Sequence, residues 1–188
     1  MGFGSDSKFN NLSSGGGGGY LSPSKIQSGG SARFHILSEE PLEFWETWGE
    51  TTDGQLKPFR FAEDPSPSDI EEEMGDTYVR RMNREGTGPE AVKPAMAFTV
   101  WDYETSSAKI CQFTQKGLIR ELLSLASMED YSDLTQWDFV LGKEGSGLTT
   151  EYSLRAAPVK KDLDRDAAVA QGDKVKLEAL LTGDNPFA

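Results

Sequence analysis

Two segments, 95–103 (AMAFTVWDY) and 108–114 (AKICQFT), set the first constraint on the fold. Both are rich in aromatic and β-branched side chains, and the short stretch 104–107 between them makes a tight turn, so the pair is predicted to be an antiparallel hairpin. Side chains alternate along a strand, so Phe98 and Val100 share one face while Thr99, Trp101 and Tyr103 share the other. One core does not account for two bulky faces, and Trp101 and Tyr103 become candidates for contact with a partner. Directly afterwards, 115–127 places Leu118, Leu122 and Leu125 on one stripe, widened by Ile119, Leu123 and Ala126. That spacing predicts a helix packed on a sheet, with Thr114 as its cap.

Further strands are expected at 32–37 and 43–48, joined as a hairpin by 38–42, and at 57–61 after the turn signal at 52–54. Two more follow the helix, at 137–143 and 149–157, around a Gly-rich tip at 142–147. The order is strand, strand, hairpin, helix, strand, strand. This predicts a mainly β protein with one clear helix, an OB-fold-like five-stranded Greek-key barrel, because that barrel carries its helix between its third and fourth strands. The barrel is expected over 32–158. An acidic, proline-punctuated insertion at about 63–94 reads as a long excursion with at most a short helix, either functional or disordered. Residues 1–31, with five consecutive glycines at 15–19, read as a flexible arm whose Tyr20, Leu21 and Ile26 have the bulk to dock. Residues 159–188 read as a partly helical C-terminal tail.

Net charge is −12, which taken alone disfavours a nucleic-acid partner. The distribution qualifies this. Seven acids and no base fall in 63–76, whereas 77–120 carries seven bases against four acids. Cations therefore concentrate around the aromatic hairpin. One cysteine, Cys111, and one histidine, His35, exclude a disulfide framework and a Cys/His zinc site. No apolar run is long enough to span a membrane, and the N-terminus lacks a signal-peptide pattern, so a cytoplasmic protein is expected. Neither a nucleophile elbow nor a phosphate loop is present, and no enzyme and no cofactor are expected.

Binding single strands without sequence preference takes flat π-faces for bases and scattered cations for phosphates. Besides Trp101 and Tyr103, the candidates are Lys109 and Phe113, which share a face with Cys111, and Phe59, Arg60 and Phe61, a second mixture of cation and aromatic. Trp101-Asp102-Tyr103, Thr114-Gln115-Lys116, Trp137-Asp138-Phe139 and the run from Lys143 to Tyr152 (KEGSGLTTEY) follow one another in a set order. In this the chain resembles the single-stranded-DNA-binding proteins of tailed bacteriophages, a family loosely similar to the helix-destabilising protein of the T-even phages.

The resemblance covers roughly 32–158 and implies an OB fold that coats single-stranded DNA during phage replication, recombination or repair, in the cytoplasm of an infected bacterium. The zinc module of the T-even protein has no counterpart here, and the acidic segment is heavier than the pattern leads one to expect. Lys57, Arg60, Arg80, Arg81, Lys109, Lys143 and Arg155 are then the expected phosphate contacts. The ending Asp184-Asn185-Pro186-Phe187 resembles the acidic, aromatic-terminated tails through which such proteins recruit replication partners. An alternative reading is a protein-interaction or phage accessory module that binds no nucleic acid. Self-association, cooperativity, site size and DNA over RNA preference are open at this level.

Overall fold

The computed structural model describes residues 19–188. Most of the expected 1–31 arm therefore lies outside the described residues. The strands are β1 (Tyr20–Leu21), β2 (Ser31–Ile36), β3 (Leu42–Glu50), β4 (Leu56–Phe61), β5 (Val79–Arg80), β6 (Lys93–Asp102), β7 (Ser107–Phe113), β8 (Asp138–Glu144) and β9 (Glu151–Ala157). The helices are α1 (Pro67–Met74), α2 (Lys116–Ala126), α3 (Arg165–Gly172) and α4 (Ala179–Thr182). The protein is mainly β, with an open mixed sheet and several helices, so the expectation of one clear helix is corrected. Among the described residues no helix is long and apolar enough to cross a membrane.

β6 is the spine. Along one edge it pairs with β7, from Met96 opposite Phe113 to Asp102 opposite Ser107. Its other edge is shared: β2 takes the end nearest Asp102 and β3 the end nearest Lys93. The expected hairpin of 32–37 with 43–48 is thus not formed. Both strands lie on the same edge of β6, and the chain merely bends between them. The bend leaves the Thr99 backbone satisfied, because the Leu37 N–H donates to its carbonyl (2.8 Å) and its own N–H donates to Ser38 Oγ (3.1 Å). β2 continues the sheet outwards to β8, and β8 to β9.

Strand alternation divides the apolar side chains between two faces. On the inner face Phe34, Phe98, Phe113 and Phe139 pack with Leu118 and Leu122 of α2, as the helix spacing predicts. Thr114 does not cap that helix. Gln115 holds the N-cap position, and its side-chain oxygen accepts from the Thr114 N–H (3.2 Å). Residues 20–26 are folded onto the domain: β1 runs parallel to β7, and Leu21 and Ile26 join the inner core.

The opposite, outer face is covered as well. Phe44, Ala95, Ala97 and Ile110 lie beneath Leu177 and Leu180. The C-terminal part is therefore not a free tail. Its helices show weak amphipathicity because α3 approaches through its smallest residues, Ala168 and Gly172, both buried. A Cβ on Gly172 would stand 2.9 Å from Leu37 Cδ1, too close for ordinary packing. A third cluster, Phe59 with Ile70 and Met74, makes the acidic insertion a folded arm. Ser66 starts α1 with a capping box to Asp69, and Pro67 occupies the first turn.

These clusters set two magnitudes. Phe98→Ala, removing a ring that meets Phe34 and Phe113, is expected to destabilise the protein by about 3–5 kcal/mol. Ser66→Ala removes only a cap and should cost about 1 kcal/mol. Urea unfolding of both variants checks the ratio; equal effects would contradict this division of the core.

Candidate nucleic-acid interface

The Trp-Asp-Tyr and Trp-Asp-Phe motifs meet in space. Asp138, at the start of β8, is fully buried. Its Oδ1 accepts from the Tyr103 hydroxyl (2.9 Å) and from His35 Nδ1 (3.0 Å). Its Oδ2 accepts from Arg33 Nε (2.9 Å) and from the Lys160 backbone N–H (3.2 Å). Two donors on each oxygen fill the acceptor capacity of the carboxylate, which is what a buried charge requires. Burial pushes the Asp138 pKa up, but the hydrogen bonds from His35, Arg33, Tyr103 and Lys160 together outweigh it and hold the group below its ordinary 3.8. The Tyr103 phenol is pushed up, first by burial and then by its bond to this carboxylate.

Asp102 has a comparable task in the β6–β7 turn. It accepts from the Glu104 N–H (3.1 Å) and the Thr105 hydroxyl (2.9 Å), and it pairs with Lys109 Nζ at 2.8 Å. Both aspartates of the paired motifs thus hold the frame together.

Trp101 is half-buried on the outer face, in a cross-strand row with His35 on one side and Ala108 on the other. Tyr103 is less available than strand alternation implies. Its hydroxyl is spent on Asp138, and Lys160 Nζ and the Arg33 guanidinium lie 4.8 and 6.0 Å from its ring centroid.

Phe59 and Phe113 are core residues and offer no face to a base, which corrects their assignment to the site. Arg60 and Lys109 are corrected too. Arg60 Nε binds Glu46 at 3.0 Å inside a closed set with Gln112, and Lys109 is held by Asp102. Phe61 is half-buried against the third cluster. Arg80 is half-buried and donates to the Glu90 carbonyl (2.9 Å), and Lys143 donates to the Ser24 carbonyl (3.0 Å). Lys57, Arg81 and Arg155 are exposed. Lys57 lies over the Phe59 ring on the inner side of the arm, while Arg155 is on the outer face with Asp138 and Val140.

At the C-terminal end Pro186 is buried, and Phe187 meets Tyr20 edge-on at 5.6 Å. Asp184 accepts from the Thr182 hydroxyl (2.7 Å). The ending expected to recruit partners is thus docked on the domain.

Sequence reasoning passed over Trp48. The β3 register puts it on the outer face, directly across from Pro58 on β4. Its parity with Phe44 in the sequence was the available signal. No family model, curated protein or solved structure matches the chain.

Asp138→Asn keeps the shape and removes the charge, leaving the Arg33 and His35 donors without their anion. We expect a loss of about 3–5 kcal/mol. Because the folded-state pKa is depressed, the Asp138 contribution is complete above 3.8 and is lost as pH falls below that value. The gap between wild type and variant should therefore narrow as pH falls below 3.8 in acid unfolding curves; a gap that stays constant with pH would place the stabilisation elsewhere.

Proposed function

We propose that this protein binds single-stranded DNA with little sequence preference, without catalysis, through the outer face of an OB-like barrel. The observation that carries this reading is the connectivity. β2 and β3 act as one bent strand along β6; β6 pairs β7; α2 follows β7; and β8, paired with both β2 and β9, comes next. An OB barrel has that sequence of pairings, and its open face binds oligonucleotides. Two differences are plain: β7 pairs on its far edge with β1, not with β9, so the sheet stays open, and β3 also pairs β4 and β5.

On the outer face Trp101 supplies a ring for stacking, and Arg81 and Arg155 supply cations at separate places. Scattered cations of this kind reconcile local phosphate contact with a net charge of −12. His35 and Asp138 resemble a catalytic pair in type only. Both are buried, and the carboxylate is saturated by its donors. The phage replication setting, the cytoplasm of an infected cell and recruitment of replication proteins through Asp184, Pro186 and Phe187 are parts of the same proposal, and they rest on the motif resemblance.

A second reading, a protein-interaction module, is favoured by one observation. A cavity of about 370 Å3 opens between α2 and residues 132–135, floored by Ile36, Met96, Phe98 and Leu122 and rimmed by Glu39 and Asp133. An apolar floor with acidic edges suits a basic peptide carrying an apolar anchor.

Titration of labelled oligo-dT and of a duplex of equal length, at two salt concentrations with Trp fluorescence recorded, separates the readings. Single-strand binding with quenching is expected, and Trp101→Ala should weaken it by roughly 1–3 kcal/mol while leaving the protein folded. Absence of binding to either form would leave the interaction module as the better account.

A further inference from the structure

We propose that Trp48 is a second base-stacking platform and that Arg81 beside it contacts the phosphate of the stacked nucleotide; this rests on the single-strand reading above. Of the four tryptophans, only Trp48 and Trp101 have outer-face positions. Trp45 shares a row with Phe61 and Pro94 on the inner face. Trp137 donates from its indole N–H to the Asp130 carbonyl (3.1 Å) and meets the Tyr131 ring edge at 4.7 Å.

Trp48 sits where β3 has run past β6. There its neighbours are β4 on one side and β5 on the other, while the strip further back along the sheet, at Phe44 and Ala95, is covered by Leu177 and by Leu180 of α4. Register places Arg81 directly opposite: Gly49 pairs Arg80, Glu50 pairs Val79, and the Arg81 N–H donates to the Trp48 carbonyl (2.8 Å). Directly opposed residues have Cβ atoms about 4.5–5.5 Å apart and share a face. That is the scale separating a base from its own phosphate. Arg81 is exposed and makes no ion pair among the described residues.

The next row is apolar at both edges. Leu56 is 48% and Val79 70% exposed, with Glu50 between them. Exposed apolar side chains next to a half-buried indole and a free guanidinium form a surface for a flat, weakly hydrated ring that carries an adjacent anion. A base in a duplex has both faces occupied by its stacked neighbours, so the ligand is a single strand. Glu50 repels phosphate from this second row and leaves Arg81 as the anion contact.

The test uses the full chain, a labelled oligo-dT, and the variants Trp48→Ala, Trp48→Leu, Trp48→Phe and Arg81→Ala. Trp48→Ala and Trp48→Leu should each weaken binding roughly ten- to hundredfold, and Trp48→Phe should recover most of it, because a ring and not apolar bulk is required. Leu also guards against a packing defect that Ala introduces. Arg81→Ala should reduce the slope of log affinity against log salt by about one. If wild type binds the strand and Trp101→Ala weakens it while the Trp48 and Arg81 variants bind as wild type does, the inference is overturned and the single-strand reading stands. If wild type binds no single strand, that reading falls and takes the inference with it.

Discussion

A carboxylate without water has to find its donors inside the protein, and at Asp138 they come from three separate stretches of chain. Arg33 and His35 belong to β2, Tyr103 follows β6, and Lys160 follows β9. The same Arg33 reaches the Pro158 carbonyl at 2.7 Å. One buried charge therefore fixes where the sheet's central strands end and the direction in which the chain leaves its last strand. Everything C-terminal to Lys160 crosses the outer face from that starting point. The burial of Phe44, Ala97 and Ile110 under Leu177 and Leu180 depends on it.

Much of the sheet was legible in the amino-acid sequence, because runs rich in aromatic and β-branched residues mark strands even where both faces are buried. Phe98 and Val100 against Thr99 and Trp101 divide between the faces as alternation requires, and the leucine stripe of α2 packs on the inner core. What could not be read was pairing. A strand at 32–37 and one at 43–48 look like a hairpin locally, and nothing in their composition says that both prefer the same edge of β6. The C-terminal helices were faint for a related reason. Close approach through Ala168 and Gly172 leaves no apolar stripe to detect.

The candidate site was legible in residue type more than in exposure. Aromatic and cationic side chains were found where they are, but sequence does not separate a ring for a ligand from a ring for the core. Phe59 and Phe113 went to the core, Arg60 and Lys109 to acidic partners on the neighbouring strand, and Tyr103 to Asp138. Trp48 was missed because its neighbour on β5 is more than thirty residues distant and only the fold brings Arg81 opposite it.

The three apolar clusters are of very unequal size, and this has a dynamic consequence. The inner core engages β1, β2, β6, β7, β8, β9 and α2, whereas the arm, beyond its backbone ladder to β3, is held by Phe59, Ile70 and Met74 flanked by Phe61, Tyr78 and Val92. Units held by so few buried contacts open at free energies well below that of global unfolding. Amides of β4, α1 and β5 should then exchange with solvent as one cooperative group, ahead of those in β6. Exchange of that kind would mark the arm as a foldon of its own, attached to a firmer sheet and able to adjust without disturbing the buried carboxylate at the other end of β6.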